Sequence, residues 1–146
     1  RQGALFASDS MRFYNGILPE GEPDRIFMAV DEAFGGGDYV SAPVCYQYGD
    51  EYYIHDVVFD NGDKFITRPL VRDMILKHKI QAIQFEETKT TTDYHEWIDT
   101  ELKSEGFRTN ITWKPPSSQK SKQARIFDQA PEAISEVYAK YIFIQN

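Results

Sequence analysis

The order in which hydrophobic periodicities follow one another most constrains the fold of this chain. Three strand-length runs precede any helical pattern: Ile26 to Val30, Tyr39 to Tyr48, and Tyr52 to Phe59. Gly49-Asp50 reads as a hairpin connection between the second and third runs. Pro43 marks its strand as an edge or a bulge. Over residues 67–78 the period becomes helical. Leu70, Met74 and Lys77/His78 follow one stripe, with Val71 and Ile75 beside it. Ile80 to Phe85 is a further buried-strand run. Residues 91–105 form a second amphipathic helix with Tyr94, Trp97, Ile98 and Leu102 on one face, and Gly106 is its natural stop. Phe107 to Trp113 reads as a strand and Pro115 to Ser118 as a loop. A third helix is expected from Ser121 to Gln129, a short one after Pro131, and a strand beginning at Tyr141 to Ile144.

A hairpin set followed by βα units predicts an α/β architecture, a mixed β-sheet flanked by helices. The order fits the ribonuclease H-like fold, among others. Residues 1–25, broken by Gly16, Pro19, Gly21 and Pro23, read as a linker, and residues 26–146 as one domain. The length of 146 residues agrees with a single domain. An aromatic content of 14% excludes a disordered chain, which lacks the apolar surface to offset its ordering entropy. A lone cysteine, Cys45, excludes an internal disulfide and reads as packing. No apolar run approaches the roughly 20 residues that span a bilayer, so no membrane partner is expected. A first residue of Arg1 rather than Met reads as the start of a fragment.

Two acids stand at predicted strand ends: Asp31 closes the first run and Glu86 the fourth. In α/β sheets, functional groups gather at the carboxyl ends of strands. Carboxylates that meet there suit hard cations such as Mg²⁺, and a pair of such ions can flank a phosphodiester. The alternative is a pair of solvated loop acids. Glu87 competes with Glu86, because successive side chains on a strand face opposite ways and alternation alone does not choose. Gly35-Gly36-Gly37 after Asp31 is either a phosphate cradle or, as we favour, a turn between antiparallel strands; no P-loop pattern accompanies it. Asp38 is a supporting acid or a turn cap. His55, His78 and His95 lack metal-ligand spacing and read as surface or hydrogen-bonded residues.

Charge is segregated. Residues 103–125 hold Lys103, Arg108, Lys114, Lys120, Lys122 and Arg125 against Glu105 alone, six against one, or +5. With a total of −7, the remainder carries −12. An acidic total argues against a generic nucleic-acid binder. The basic segment, with Trp113, is nonetheless suited to a phosphate backbone, its alternative being a solvated helix face.

Three segments together resemble the nuclease domain of the large terminase subunit of tailed bacteriophages. They are Phe27-Met-Ala-Val-Asp31-Glu-Ala-Phe-Gly-Gly-Gly-Asp38-Tyr39, Ile83-Gln-Phe-Glu86, and Ser121-Lys122-Gln-Ala-Arg125-Ile126. The resemblance implies a metal-dependent DNA endonuclease of ribonuclease H-like fold that cuts concatemeric DNA during genome packaging in the host bacterial cytoplasm. It implies two Mg²⁺ or Mn²⁺ ions at Asp31 and Glu86, with Asp38 a further metal candidate. Lys122 and Arg125, with Lys120 and Lys114, would lie against DNA. It also implies double-stranded DNA, an ATPase motor domain, the portal and the small terminase subunit as partners. The family's third acid lies in an Asp-rich stretch that would fall beyond Asn146, so the domain is expected to be truncated at its C-terminus; Asp128 and Glu132 are the nearest substitutes. Thr88-Lys89-Thr90 replaces the usual asparagine and glycines after the second acid. Two other readings are a non-catalytic DNA- or portal-binding module of the packaging machine, and an actin-like nucleotide-binding domain.

Overall fold

The computed structural model describes residues 12–33, 39–87, 93–115 and 141–144. They form a seven-stranded mixed sheet and two helices, the ribonuclease H-like fold. The strands are β1 (Arg12–Tyr14), β2 (Arg25–Ala33), β3 (Tyr39–Tyr48), β4 (Glu51–Asp60), β5 (Ala82–Glu86), β6 (Asn110–Lys114) and β7 (Tyr141–Ile144). The helices are α1 (Lys64–His78), between β4 and β5, and α2 (Asp93–Ser104), between β5 and β6. The spatial order is β1-β7-β4-β3-β2-β5-β6. β2, β3 and β4 pair antiparallel, whereas β5 joins β2 and β6 joins β5 in parallel. The expected third helix and the Gly35-Gly36-Gly37 turn lie outside the described residues.

Alternation along the central strands sorts their side chains into two faces. Met28 and Val30 of β2, Ala42 and Val44 of β3, Val58 of β4, and Ile83 and Phe85 of β5 share the core with Val71 and Ile75 of α1 and with Tyr94, Ile98 and Leu102 of α2. The hairpin between β3 and β4 turns at Gly49-Asp50, as expected. Gly49 takes φ 61°, which a two-residue hairpin loop requires, and its N–H donates to Asp24 Oδ2 at 2.6 Å. Pro43 sits not at an edge but in a central strand, next to a register shift between Val44 and Cys45. The bulge alternative therefore holds, since a bulge tolerates the missing N–H.

Three differences from the sequence reading are instructive. The buried stripe of α1 is Thr67, Val71 and Ile75, whereas Leu70 is 41% exposed. The two candidate stripes differ by one position, or about 100° of helix rotation, and only the sheet decides which one faces inward. Arg12–Tyr14 carries no strand pattern yet forms the edge strand β1, parallel to β7. β7 in turn pairs in parallel with β4 through Tyr52, Tyr53 and Ile54. Finally, α1 starts three residues earlier than its periodicity suggests, because Asp63 caps it. Asp63 Oδ1 accepts from the N–H groups of Phe65 and Ile66 at 2.9 and 3.2 Å. Asp63→Ala is expected to lower stability by about 1 kcal/mol, measured by denaturant unfolding; no change would mean that water serves those donors equally well.

At its other end α1 closes through Lys79, whose φ of 53° is left-handed, with Ile80 N–H bonded to Ile75 O at 3.1 Å. α2 stops at Gly106 (φ 73°), where Phe107 N–H reaches Leu102 O at 2.9 Å, the stop expected from sequence. The helices are joined by a buried Thr67–Tyr94 hydroxyl pair at 2.8 Å and by an Arg72–Glu101 ion pair at 2.8 Å. Among the described residues, no helix is long and apolar enough to cross a membrane.

All three histidines are hydrogen-bonded. His78 lies between the Tyr46 hydroxyl at Nδ1 and Asp56 Oδ2 at Nε2, 2.5 and 2.9 Å away. His55 Nδ1 meets the Tyr14 hydroxyl at 2.7 Å, tying β1 to β4. Burial, then the nearby His78, holds the His55 pKa below its ordinary value, with Asp56 opposing. Below about pH 6.5 the unfolded chain takes up a proton at His55 that the folded chain resists, so stability is lost as pH falls. For Asp56, burial raises the pKa, but hydrogen bonds from His78, the Val57 N–H and Lys77 outweigh it, and the net shift is downward. Its contribution is present above the unfolded carboxylate range and disappears only at lower pH, as the folded group protonates. The thermal midpoint is therefore expected to fall from pH 7 to pH 5, with a shallower slope in His55→Gln. An unchanged slope would remove His55 from the account.

Candidate functional site

β2 and β5 are neighbours and parallel, so their carboxyl ends lie side by side. Their register pairs Asp31 directly with Glu86. Both residues are buried, at 2% and 5% exposure. The same row continues across the sheet: Phe59 of β4 opposes Ser41 of β3, Ser41 opposes Asp31, and Glu86 opposes Lys114 of β6. Register partners project to one face, so Ser41, Asp31, Glu86 and Lys114 line one strip, opposite to the face that carries Val30 and Phe85.

Glu87 has a different environment. It is fully buried, and its Oε1 pairs with His95 Nδ1 of α2 at 2.8 Å. Its Oε2 is buried without a hydrogen-bond partner. Burial raises the Glu87 pKa, and His95 opposes the shift only in part. The His95 ring stacks on Trp113, with centroids 6.0 Å apart and planes 22° apart. The Glu87 N–H also donates to Lys114 O at 2.9 Å, which extends the β5–β6 ladder one step past Glu86.

Of the sequence candidates, the structure brings Asp31, Glu86 and Lys114 together. Asp38, Lys120, Lys122, Arg125, Asp128 and Glu132 lie outside the described residues. Lys103 pairs with Asp99 on the outer surface of α2, 3.1 Å away. Cys45 is buried in β3, and burial pushes its thiol pKa up to about 12, which suits packing. Sequence reasoning missed Ser41, buried opposite Asp31, and the Glu87–His95 pair. Neither leaves a local signal, because both depend on which strand or helix lies alongside.

A pair of buried carboxylates with a serine beside it has the donor chemistry of a hard divalent cation. Among the described residues, however, no group of three or more His, Cys, Asp or Glu side chains is placed to hold a metal ion. The described residues therefore supply two carboxylate ligands, Asp31 and Glu86.

The described architecture is the fold of terminase large-subunit nuclease domains, the family the sequence resembles. The large terminase of a thermophilic bacteriophage superimposes with a TM-score of 0.58 at 9% identity, covering 97% of this chain and 32% of that one. The human cytomegalovirus terminase nuclease domain gives 0.57 at 10% identity, covering 94% and 73%. The same viral domain soaked with Mn gives 0.56 at 10% identity, covering 96% and 76%. The chain thus spans about a third of the length of the thermophilic phage protein. No family model and no curated protein matches the sequence. At these identities the likeness is one of fold.

Proposed function

We propose that this chain is the metal-dependent DNA endonuclease domain of a phage or prophage terminase large subunit, cutting concatemeric DNA during packaging. One observation carries the reading: Asp31 and Glu86 are register partners at the carboxyl ends of adjacent parallel strands, in a fold shared with terminase nuclease domains. Asp31 and Glu86 would hold Mg²⁺ or Mn²⁺, two ions in the full site, with Asp38 a further candidate ligand. Held by Asp31 and Glu86, such a cation would lower the pKa of a nearby water and offset charge on the phosphodiester. Ser41 beside Asp31 gives the carboxylate a polar neighbour, and the apolar floor behind the strip excludes bulk water. Lys114, one strand beyond Glu86, would meet the DNA backbone, with Lys120, Lys122 and Arg125 from the basic segment. The implied partners are double-stranded DNA, the ATPase motor domain, the portal and the small terminase subunit, in the host cytoplasm.

The test is plasmid nicking by the purified chain in Mn²⁺. Conversion of supercoiled to open-circular DNA, abolished by chelator, is the expected result; equal cleavage by Asp31→Ala would overturn the assignment. Among the described residues the donor set numbers two carboxylates, which also fits a second reading, a non-catalytic DNA- or portal-binding module. Isothermal titration separates the two, because the module would retain DNA or portal binding with no uptake of Mn²⁺.

A further inference from the structure

The carboxylate strip does not end at Ser41. Its next register partner is Phe59, and Phe59 is 53% exposed. Tyr39, two residues before Ser41 on β3, shares this face and stacks on Phe59 with centroids 4.8 Å apart and planes 6° apart. Val57, two residues before Phe59, is also on this face and 49% exposed. Large apolar side chains at such exposure, gathered on one face, mark a contact surface more often than single exposed residues do.

Position and charge identify the occupant. Phe59 lies two strands from Asp31, about 10 Å at the usual strand spacing. A polynucleotide with a phosphate at Asp31 and Glu86 would pass over it within a nucleotide or two. Among the described residues of β3 and β4, this part of the face carries no carboxylate. Tyr39, Ser41, Pro43, Val57 and Phe59 project on this side, whereas the alternating Asp56 and Asp60 belong to the other. In a chain of net charge −7, such an uncharged aromatic strip does not repel a phosphate backbone. Bases stack on aromatic rings without regard to sequence, but only when their own faces are released from the duplex stack.

We infer that Tyr39 and Phe59, with Val57, form a stacking platform for an unpaired base of the strand held at Asp31 and Glu86. This rests on the endonuclease reading for the location of the phosphate. The platform gives the domain higher affinity for single-stranded or frayed DNA than for a closed duplex.

Fluorescence anisotropy on the 146-residue chain, in Ca²⁺ so that a cation can sit between the carboxylates and the phosphate, with a labelled single-stranded oligonucleotide and the blunt duplex of the same sequence, tests the platform. Phe59→Ala is expected to weaken single-strand binding by about five- to a hundredfold and to leave duplex binding unchanged. Phe59→Trp, which keeps a ring, should restore it. Phe59 is half exposed and loses its stack on Tyr39, so a thermal midpoint within a few degrees of the parent is expected and verifies folding. Equal single-strand binding by parent and Phe59→Ala overturns the platform, as does equal weakening on both DNAs. Loss of a dimer in Phe59→Ala by light scattering, with DNA binding intact, also overturns it in favour of a self-association surface. The readout is independent of cleavage. A parent that fails to nick DNA in Mn²⁺ yet shows the Phe59-dependent preference removes the nuclease reading and keeps the platform. A parent that nicks but lacks the preference does the reverse.

Discussion

Asp31→Asn and Glu86→Gln are each expected to lower Mn²⁺-dependent nicking by about a hundredfold or more, with the thermal midpoint within a few degrees of the parent. Each replacement keeps the shape of the side chain and removes only its charge. A carboxylate ligand supplies the anionic oxygen that a hard cation requires, and an amide oxygen is a much weaker donor. Losing several kcal/mol of transition-state stabilisation corresponds to a hundredfold or more in rate. The strip position makes the prediction specific, because Asp31 and Glu86 face away from the Val30–Phe85 core and their substitution leaves that packing intact. Glu87→Gln provides the internal contrast. Glu87 pairs with His95 on the opposite face, so its replacement should alter stability more than cleavage. Nicking that survives in Asp31→Asn would detach the chemistry from this strip. A collapsed midpoint would give Asp31 a structural role instead.

Phe85→Ala is expected to cost about 3–5 kcal/mol, the usual range for truncating a fully buried phenylalanine. For a domain of this size that lowers the thermal midpoint by on the order of 10 °C. Phe85 has no exposed surface and lies beneath both Tyr94 and His95 of α2, with ring centroids 6.4 and 5.7 Å away. Its removal leaves a void between β5 and α2 that neither element can fill without moving. It also immediately precedes Glu86, so a relaxed β5 misaligns the carboxylate row. Denaturant unfolding and nicking should therefore fall together in Phe85→Ala, whereas in Asp31→Asn they separate. A loss below about 1 kcal/mol would mean that the core collapses freely around the site.

Much of the fold was legible in the sequence because it rests on local periodicity. The β3–β4 hairpin, the helical stretch before β5, α2 with its Gly106 stop, and the strand at Tyr141 to Ile144 follow from alternation, helical spacing and backbone freedom at glycine. The edge strand β1 was not legible. Its three residues carry too little pattern, and its partner β7 lies more than a hundred positions further along the chain. The burial of Thr67 in place of Leu70 escaped for a related reason, since periodicity gives the angle between stripes but not which stripe meets the sheet.

The candidate site divides in the same way. From sequence alone came the two acids at the ends of strand-like runs, the opposition of Glu86 and Glu87 on alternate faces, and the segregation of positive charge into residues 103–125. Tertiary pairing decided that Glu86 stands opposite Asp31 while Glu87 turns to His95, that Ser41 and Lys114 flank the acids, and that Tyr39 and Phe59 extend the same strip. A period of two assigns each residue to one of two faces. Which face is covered, and which residue of a distant strand lies opposite, depends on sheet register and on where the helices pack, and those contacts are made only when the whole chain folds.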